Sequence, residues 1–307
     1  MSVIQIEHNN RLYRDYYDYP EITYKSGRRF SPPVFLYKYY PLNDNSIDAI
    51  TNHYLYASKP SQLNDRFDCS NQLVQSQSYE DEIELLKVCG SDQDLSLEEY
   101  CLISDFGLSP NIHEKIFSET GIISMTTNHS DILMWSHYAK NNGFCVEYRI
   151  DCFPWNWIGP FPIQYCKRRE PAYVNANQFS LIPLLLCFQK NLKWKYEREW
   201  RVLVNLQNNS NRKCVYPVEA LTGIYFGASF FSEKETQLDP NDEFHTIVKL
   251  DNQLEDYQIK LLDFIVGNNI PAYFDFTANI DEITFLRSYC KGGNGIYDIY
   301  NGIDETY

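Results

Sequence analysis

The sequence is poor in positive charge. Its 27 lysines and arginines face 41 aspartates and glutamates, which gives a formal net charge of -14 at pH 7 and a pI near 4.9. A surface of this sign repels nucleic acids and anionic membranes, because both carry dense negative charge. The composition therefore argues against general binding to a polyanion or a membrane, although it does not exclude a local basic groove.

Long apolar runs and a hydrophobic leader are also lacking. The longest apolar run, around Leu181 to Phe188, is interrupted by Pro183 and is too short to cross a bilayer. The N-terminal stretch MSVIQIEHNN has no basic segment followed by an apolar one, so we expect no signal peptide.

Paired cysteines and metal-ligand spacings are missing as well. The nine cysteines form no C-x-x-C pair and lie mostly in apolar runs, which favours buried free thiols in a reducing compartment. The six histidines show no ligand spacing, so we expect no zinc site. Together these absences predict a cytoplasmic protein.

Apolar and aromatic residues are abundant instead. The 307 residues are 44% hydrophobic and 16% aromatic, which is enough for a sizeable core. Short strand patterns separated by helical ones predict an α+β fold with a mixed or antiparallel sheet. We expect an N-terminal arm with at most one short helix (1–33), a single domain (34–290) with an acidic helical insert at about 79–118, and a flexible tail (291–307).

The predicted elements follow from apolar periodicity and capping residues. Strands are expected at 34–40, 53–58, 121–126, 144–150, 223–228, 246–250 and 272–276, and helices at 46–52, 130–140, 177–190 and 256–268. The segment KWKYEREWRVLV (193–204) is expected to form a strand with Glu197, Glu199 and Arg201 on one face and Trp200, Val202 and Val204 packed behind.

Several stretches together resemble a bacterial family known as domain of unknown function 2971. They are YKYYPL, LYASKPSQLNDRFD, DILMWSHYAKNNGFCVEY, KWKYEREWRVLV and IYFGASF, in that order within about 34–230. The sequence departs from the family pattern at Arg66, where proline is usual, and at Asn142, where histidine is common. The resemblance implies no specific activity, because that family has no settled function.

A more distant resemblance is to ADP-ribosyltransferases of the arginine–serine–glutamate type. Those enzymes carry a basic residue on the first core strand, Ser-x-Ser/Thr on a middle strand and Glu-x-Glu on a later one. Here Lys38, Ser124-Met125-Thr126 and Glu197-Arg198-Glu199 follow in that order. Lysine is a departure, because its point charge cannot form the bidentate phosphate contact of arginine.

The resemblance implies roles for these residues, with NAD as substrate. Glu199 would stabilise positive charge on the ribose, and Glu197 would orient or deprotonate the acceptor. The remaining candidates would bind NAD: Ser124 and Thr126 at the nicotinamide-ribose pocket, Lys38 at the diphosphate, and Tyr37, Tyr39 or Tyr138 against nicotinamide.

Each motif also has a simpler interpretation. Glu197, Glu199 and Arg201 could form a charged strip that is solvated or paired. The simplest role of Asn64, Asp65 and Asp68 is to form helix caps and Asx-turns. The alternative is that they bind the ribose hydroxyls or a metal ion. Trp135 and His137 are most simply packed residues, and Glu147 is a lesser candidate for the polar site.

Three functional hypotheses remain open. The first is an NAD-dependent ADP-ribosyltransferase-like enzyme of a toxin or phage-defence type, with an unknown protein or nucleic-acid acceptor and a neutralising or regulatory protein partner. The second is a metal-dependent nuclease or phosphodiesterase built on Asp65, Asp68, Glu197 and Glu199. The third is a non-enzymatic interaction module.

Overall fold

The structure is a computed structural model. It describes residues 3–16, 20–91, 95–207, 211–231, 236–238, 248–250, 254–275, 283, 285–293 and 296–301. The expected strands at 246–250 and 272–276 fall partly outside these ranges.

Strands and helices alternate irregularly along the chain, as an α+β fold requires. The strands are β1 (Ile4–His8), β2 (Arg11–Asp15), β3 (Pro20–Tyr24), β4 (Phe35–Tyr40), β5 (Tyr54–Tyr56), β6 (Val74–Ser76), β7 (Thr120–Thr126), β8 (Phe144–Arg149), β9 (Ile158–Pro162), β10 (Gln164–Cys166), β11 (Ala172–Val174), β12 (Gln189–Asn191), β13 (Glu199–Asn205), β14 (Lys213–Val215), β15 (Leu221–Phe226), β16 (Thr236–Leu238), β17 (Val248–Leu250), β18 (Ala272–Asp275), β19 (Phe285–Gly293) and β20 (Ile296–Asn301). The α-helices are α1 (Asp44–Thr51), α2 (Tyr79–Val88), α3 (Leu97–Ser104), α4 (Pro110–Glu119), α5 (Ile132–Tyr138), α6 (Ile182–Cys187) and α7 (Asp256–Gly267).

The chain divides into two compact units, where a single domain over 34–290 was expected. Unit 1 comprises Met1–Pro32, Tyr56–Ser124 and Pro154–Cys214, and unit 2 comprises Pro33–Leu55, Met125–Phe153 and Val215–Tyr307. Each unit is assembled from three separate segments, so no single break in composition along the sequence marks the division.

Unit 1 contains an antiparallel sheet in the order β1-β2-β3 and a second run of strands in the order β7-β13-β9. The sequence predicted an N-terminal arm with at most one short helix over this region, and the structure has the sheet β1-β2-β3 there. In β2 the side chains alternate between buried and half-buried, with Tyr13 fully buried. That period of two is the pattern of a strand with one face on a core.

The segment expected to form an acidic helical insert contains α2, α3 and α4. It does not lie only on the surface, because its apolar side chains enter the main core cluster of unit 1. Leu85, Leu86, Ile112 and Ile116 are each at most 4% exposed.

Unit 2 contains a long sheet in the order β16-β17-β20-β19-β18-β15-β8-β4. Its pairs are antiparallel, with the exception of the parallel pair of β15 and β18. In the tail that was expected to be flexible (291–307), residues 291–293 end β19 and residues 296–301 form β20, and the two strands pair in a ladder. The rest of the tail lies outside the described residues.

One strand, β7, belongs to both units. Its residues up to Ser124 lie in unit 1, where β13 is its neighbour, and Met125 and Thr126 lie in unit 2. There Thr126 pairs with Tyr37 of β4.

Helix α5 is shorter than the expected 130–140 because Asp131 caps its N-terminus. The Asp131 carboxylate accepts hydrogen bonds from the backbone N–H groups of Leu133 (3.0 Å) and Met134 (3.1 Å). Beyond the other end, the N–H of Gly143 donates to the carbonyl of Ala139 (2.8 Å).

Among the described residues, the helices are all too short or too polar to cross a membrane.

Replacing Gly143 with alanine should destabilise unit 2. An added Cβ would lie 2.0 Å from the carbonyl oxygen of Tyr40 and 2.7 Å from that of Ala139, and neither is a flexible side-chain end. We expect a loss of about 2–3 kcal/mol in the free energy of unfolding, measured by urea titration. The control is Gly267→Ala in α7, where nothing lies within 4 Å of the added carbon and a small gain is expected. Equal stability of the two variants would contradict the close packing at Gly143.

Candidate functional site

Five charged side chains meet in the interior of unit 1. This buried charge network consists of Asp68, Lys190, Glu197, Glu199 and Arg201, and each of them is at most 5% exposed. The ammonium nitrogen of Lys190 lies 2.5 Å from Glu197 Oε2 and 3.1 Å from Glu199 Oε2. Buried charges are tolerated only when they are paired in this way.

Arg201 joins the two ends of the network. Its Nε donates to Glu199 Oε1 at 2.7 Å, and its Nη1 donates to Asp68 Oδ1 at 2.9 Å. Its Nη2 donates to both carboxylates, and its Nη1 also donates to the carbonyl of Cys187 at 2.7 Å. The fixed fork of donors on a guanidinium allows one arginine to bind two carboxylates simultaneously.

The network holds Glu199 in its ionised form. Burial alone would raise the pKa of this carboxyl, but Arg201 and Lys190 outweigh it and lower the pKa to about 2. Burial alone would lower the pKa of Lys190, but Glu199, Glu197 and Asp68 outweigh it and raise the pKa above its usual value. The charged strip considered from the sequence is therefore paired and buried, and the solvated alternative is wrong.

The sequence predicted that the two glutamates share one face of a strand, but they do not. Glu197 ends the 3₁₀ helix Leu192–Glu197, and β13 begins only at Glu199. Between them Arg198 has a left-handed backbone (φ 44°, ψ 44°). The turn at Arg198, and not strand alternation, brings both carboxylates to Lys190.

The other expectation for this segment holds in part. Val202 and Val204 are buried in unit 1, whereas Trp200 is half-buried. Glu199 and Arg201 are buried as well, so both faces of β13 are covered near its start.

Two further candidates from the sequence contact the network. Ser124 on β7 is one of the groups that lower the pKa of Glu199, after Arg201 and Lys190. The amide of Asn64, which is exposed, donates to Glu197 Oε1 at 3.2 Å. The network therefore reaches solvent at Asn64.

The loop Asn64–Asp68 divides its two aspartates between two roles. Asp65 accepts the backbone N–H of Phe67 at 3.0 Å, which is the Asx-turn that the sequence favoured. Asp68 instead points into the network, where Arg201 binds both of its oxygens.

In unit 2 Glu147 is the centre of a second polar cluster. Its Oε2 accepts the hydroxyls of Tyr37 (2.9 Å) and Tyr225 (3.2 Å), and its Oε1 accepts that of Thr222 (2.8 Å). The ring centroids of His129 and Tyr225 are 4.5 Å apart, and burial lowers the pKa of His129. Thr222 and Tyr225 were not expected, because their contact with Glu147 depends on the pairing of β8 with β15. His129 was not expected either, because it reaches the cluster from the loop between β7 and α5.

The remaining candidates also lie in unit 2. The hydroxyl of Tyr39 donates to the carbonyl of Asn128 at 2.9 Å, and Trp135 donates to the carbonyl of His129 at 2.8 Å. Both side chains are buried against each other, so Trp135 is a core residue, as expected, and Tyr39 packs with it. Thr126 is buried, Lys38 and Tyr138 are half-buried, and His137 is exposed.

The predicted NAD-binding set is thus divided between the units. Glu197, Glu199, Ser124, Asn64, Asp65 and Asp68 belong to unit 1, and Lys38, Tyr37, Tyr39, Thr126 and Tyr138 belong to unit 2. Within the described part of the chain, no group of three or more His, Cys, Asp or Glu side chains could hold a metal ion.

Lys190 is the important residue that the sequence did not single out. It was expected at the end of a helix over 177–190, but α6 ends at Cys187 and Lys190 lies in β12. The apolar run LLLCF ends two residues before Lys190, but the burial of this lysine follows from the pairing of β12 with β10, which the local sequence pattern does not show.

Comparison with known proteins does not add an identity. No family model, curated protein or solved structure gave a significant match to the chain. The resemblances to domain of unknown function 2971 and to ADP-ribosyltransferases therefore remain predictions from the sequence.

Replacing Arg201 with methionine should strongly destabilise the protein. The change leaves Asp68 and Glu199 buried without their shared partner, which costs about 3–5 kcal/mol. The matched control is Lys115→Met, which removes an exposed pair with Glu119 (2.6 Å) and should cost no more than about 0.5 kcal/mol. Urea unfolding of both variants measures the difference, and similar small losses would show that the network contributes little stability.

Stability should fall with acid in a way that depends on Glu199. A carboxyl with a folded pKa of about 2 and an ordinary value of 4.5 stabilises the fold fully above the ordinary value. This contribution, about 3 kcal/mol, is lost as the pH falls through 4.5 towards 2.

The comparison is made with Glu199→Gln, which cannot titrate at this position. Urea unfolding across the acid range should show a weaker pH dependence for the variant than for the wild type. Parallel curves for the two proteins would mean that Glu199 is not held ionised by its neighbours.

Proposed function

We propose that this chain is an ADP-ribosyltransferase-like enzyme that cleaves NAD and transfers ADP-ribose to an acceptor. The observation that carries the proposal is the position of Glu199, an ionised carboxylate at the start of β13 whose pKa is lowered by Arg201, Lys190 and Ser124. Ser124, from the Ser-Met-Thr element of the resemblance, and Glu199, from the Glu-Arg-Glu element, both belong to unit 1.

The chemistry needs a carboxylate of this kind. Breaking the bond between nicotinamide and ribose develops positive charge on the ribose, and a fixed negative group stabilises that charge. Glu199 is fixed by Arg201 and Lys190 and stays ionised over the physiological pH range. The network contains three carboxyl groups and two cations, so one acidic side chain is in excess.

The donor chemistry around Glu199 fits a ribose. Ser124, Asn64 and Glu199 carry a hydroxyl, an amide and a carboxylate, and each of these groups can bind a sugar hydroxyl. The amide of Asn64, which is bonded to Glu197, lies on the exposed side. Glu197 would orient the acceptor. Tyr37 and Lys38 of unit 2 stay candidates for NAD binding through the resemblance alone.

The metal-dependent alternative gains less support. Lys190 and Arg201 lie between the carboxyl groups that would have to share a metal ion, and each already satisfies oxygens of Asp68, Glu197 or Glu199. A carboxylate that binds an ammonium or guanidinium group cannot direct the same lone pair at a cation.

Nicotinamide release from NAD tests the proposal. The wild-type protein, incubated with NAD and a cell extract that supplies acceptors, should release nicotinamide and label a macromolecule with ADP-ribose. Glu199→Gln should lower the rate by about 10²–10³-fold, because it removes the charge that opposes the developing cation.

The control is Glu82→Gln. Glu82 is 2% exposed in the same unit, where it accepts the backbone N–H of Ser109 at 2.9 Å, so it matches Glu199 in burial but lies outside the network. Circular dichroism confirms folding of each variant. Unchanged turnover in a folded Glu199→Gln protein, or no cleavage by the wild type, contradicts the proposal.

A further inference from the structure

Helix α3 presents apolar side chains to solvent. Leu97 is 59% exposed, Leu102 is 71% exposed, and Phe106, just beyond the helix end, is 62% exposed. All residues of α3 are at least partly exposed, whereas α2 and α4 each bury three side chains. Scattered apolar residues are ordinary on protein surfaces, but three large apolar side chains this exposed within ten residues mark the segment as a candidate binding site.

The end of the helix has one outward side. Leu102 and Phe106 are four residues apart, Asp105 between them keeps a helical backbone, and both side chains therefore lie on the same side and are exposed. Leu97 is turned away from Leu102 by about 140°, because a spacing of five residues does not return to the same side of a helix. Tyr100 and Ile103 pack partly against the core cluster of unit 1. Helix α3 is therefore held by Tyr100 and Ile103 and leaves an exposed apolar pair, which we call the α3 outer face (Leu102 and Phe106).

The charge around this face selects its partner. The insert 79–118 contains ten acidic and two basic residues, a net charge of -8 out of -14 for the whole chain. Glu98 and Asp105 are exposed on either side of Leu102. A second copy of the chain would bring two such acidic surfaces together, and a nucleic acid or an anionic bilayer would be repelled for the same reason.

We infer that the α3 outer face binds a cationic amphipathic segment of another protein. Leucine and phenylalanine side chains would cover the apolar side of such a segment, and the surrounding carboxylates would pair with its lysines or arginines. A partner helix that packs along α3 uses the ordinary helix-on-helix mode of recognition, with apolar anchors at i, i+3 and i+4. This inference does not depend on the proposed NAD chemistry.

A designed peptide tests the inference directly. The probe is a fluorescent helical peptide with leucines at i, i+3 and i+4 and lysines elsewhere, titrated with the full chain and followed by anisotropy. A second peptide of the same composition in scrambled order has no apolar face, and a third carries glutamate in place of lysine. Binding of the first peptide alone, weakened by added salt, is the expected result.

Variants locate the contact. The double change Leu102→Ser and Phe106→Ser removes the exposed apolar groups and keeps the charge, so it should weaken binding by about tenfold or more. Val215→Ser, at a 65% exposed position in unit 2, is the control and should bind as the wild type does. Leu102, Phe106 and Val215 are all exposed, so these substitutions should affect folding little.

Three results would overturn the inference. One is equal binding of the ordered and scrambled peptides, which would reduce the effect to net charge. Another is unchanged affinity after the double substitution. The third is self-association of the chain in sedimentation experiments that the double substitution abolishes, because the face would then belong to a second copy.

Discussion

Unit 1 depends most on the hydrogen bonds that the guanidinium of Arg201 donates. The guanidinium binds Glu199 two residues away on the same strand, Asp68 in a distant loop and the carbonyl of Cys187 at the end of α6. A fully buried guanidinium is tolerated only if all of these groups are in place, because each unsatisfied charge would be costly. The position of β13, the Asn64–Asp68 loop and the end of α6 are therefore fixed together.

The same contacts set two opposing conditions for Glu199. Arg201 and Lys190 keep its carboxyl ionised, which a group that stabilises positive charge requires. They also occupy its lone pairs and compensate much of its charge, so less of its field is left for a substrate. In the proposed reaction, the hydrogen bonds that stabilise the network would also set the reactivity of Glu199, so a variant in the network would change both.

Several strands of the sheet were predictable from the sequence. Strands β4, β7, β8 and β15 begin and end within two residues of the expected positions, because each is a short run rich in β-branched and aromatic residues and largely buried. The N-terminal sheet was missed because Tyr13 and Ile22 are buried within segments that are otherwise polar. Composition alone predicted an arm there.

The candidate site was predictable only in part. Glu197, Glu199 and Asp68 were candidates and do lie together in the network, but Lys190, seven residues before Glu197, was not singled out. Which lysine of the chain becomes buried depends on tertiary pairing, and local patterns carry little information about it. The division of the chain into two units was equally hidden, since each unit takes three separate segments.

The left-handed backbone at Arg198 has a consequence for how this motif varies. The side chain of Arg198 is exposed, so the position is constrained by its backbone angles and not by the contacts of an arginine. Glycine, asparagine and aspartate adopt that conformation most readily, whereas a β-branched residue would resist it. Chains with Glu-Gly-Glu or Glu-Asn-Glu would keep the same convergence of carboxylates, and a search pattern that requires a strand-forming middle residue would pass over them.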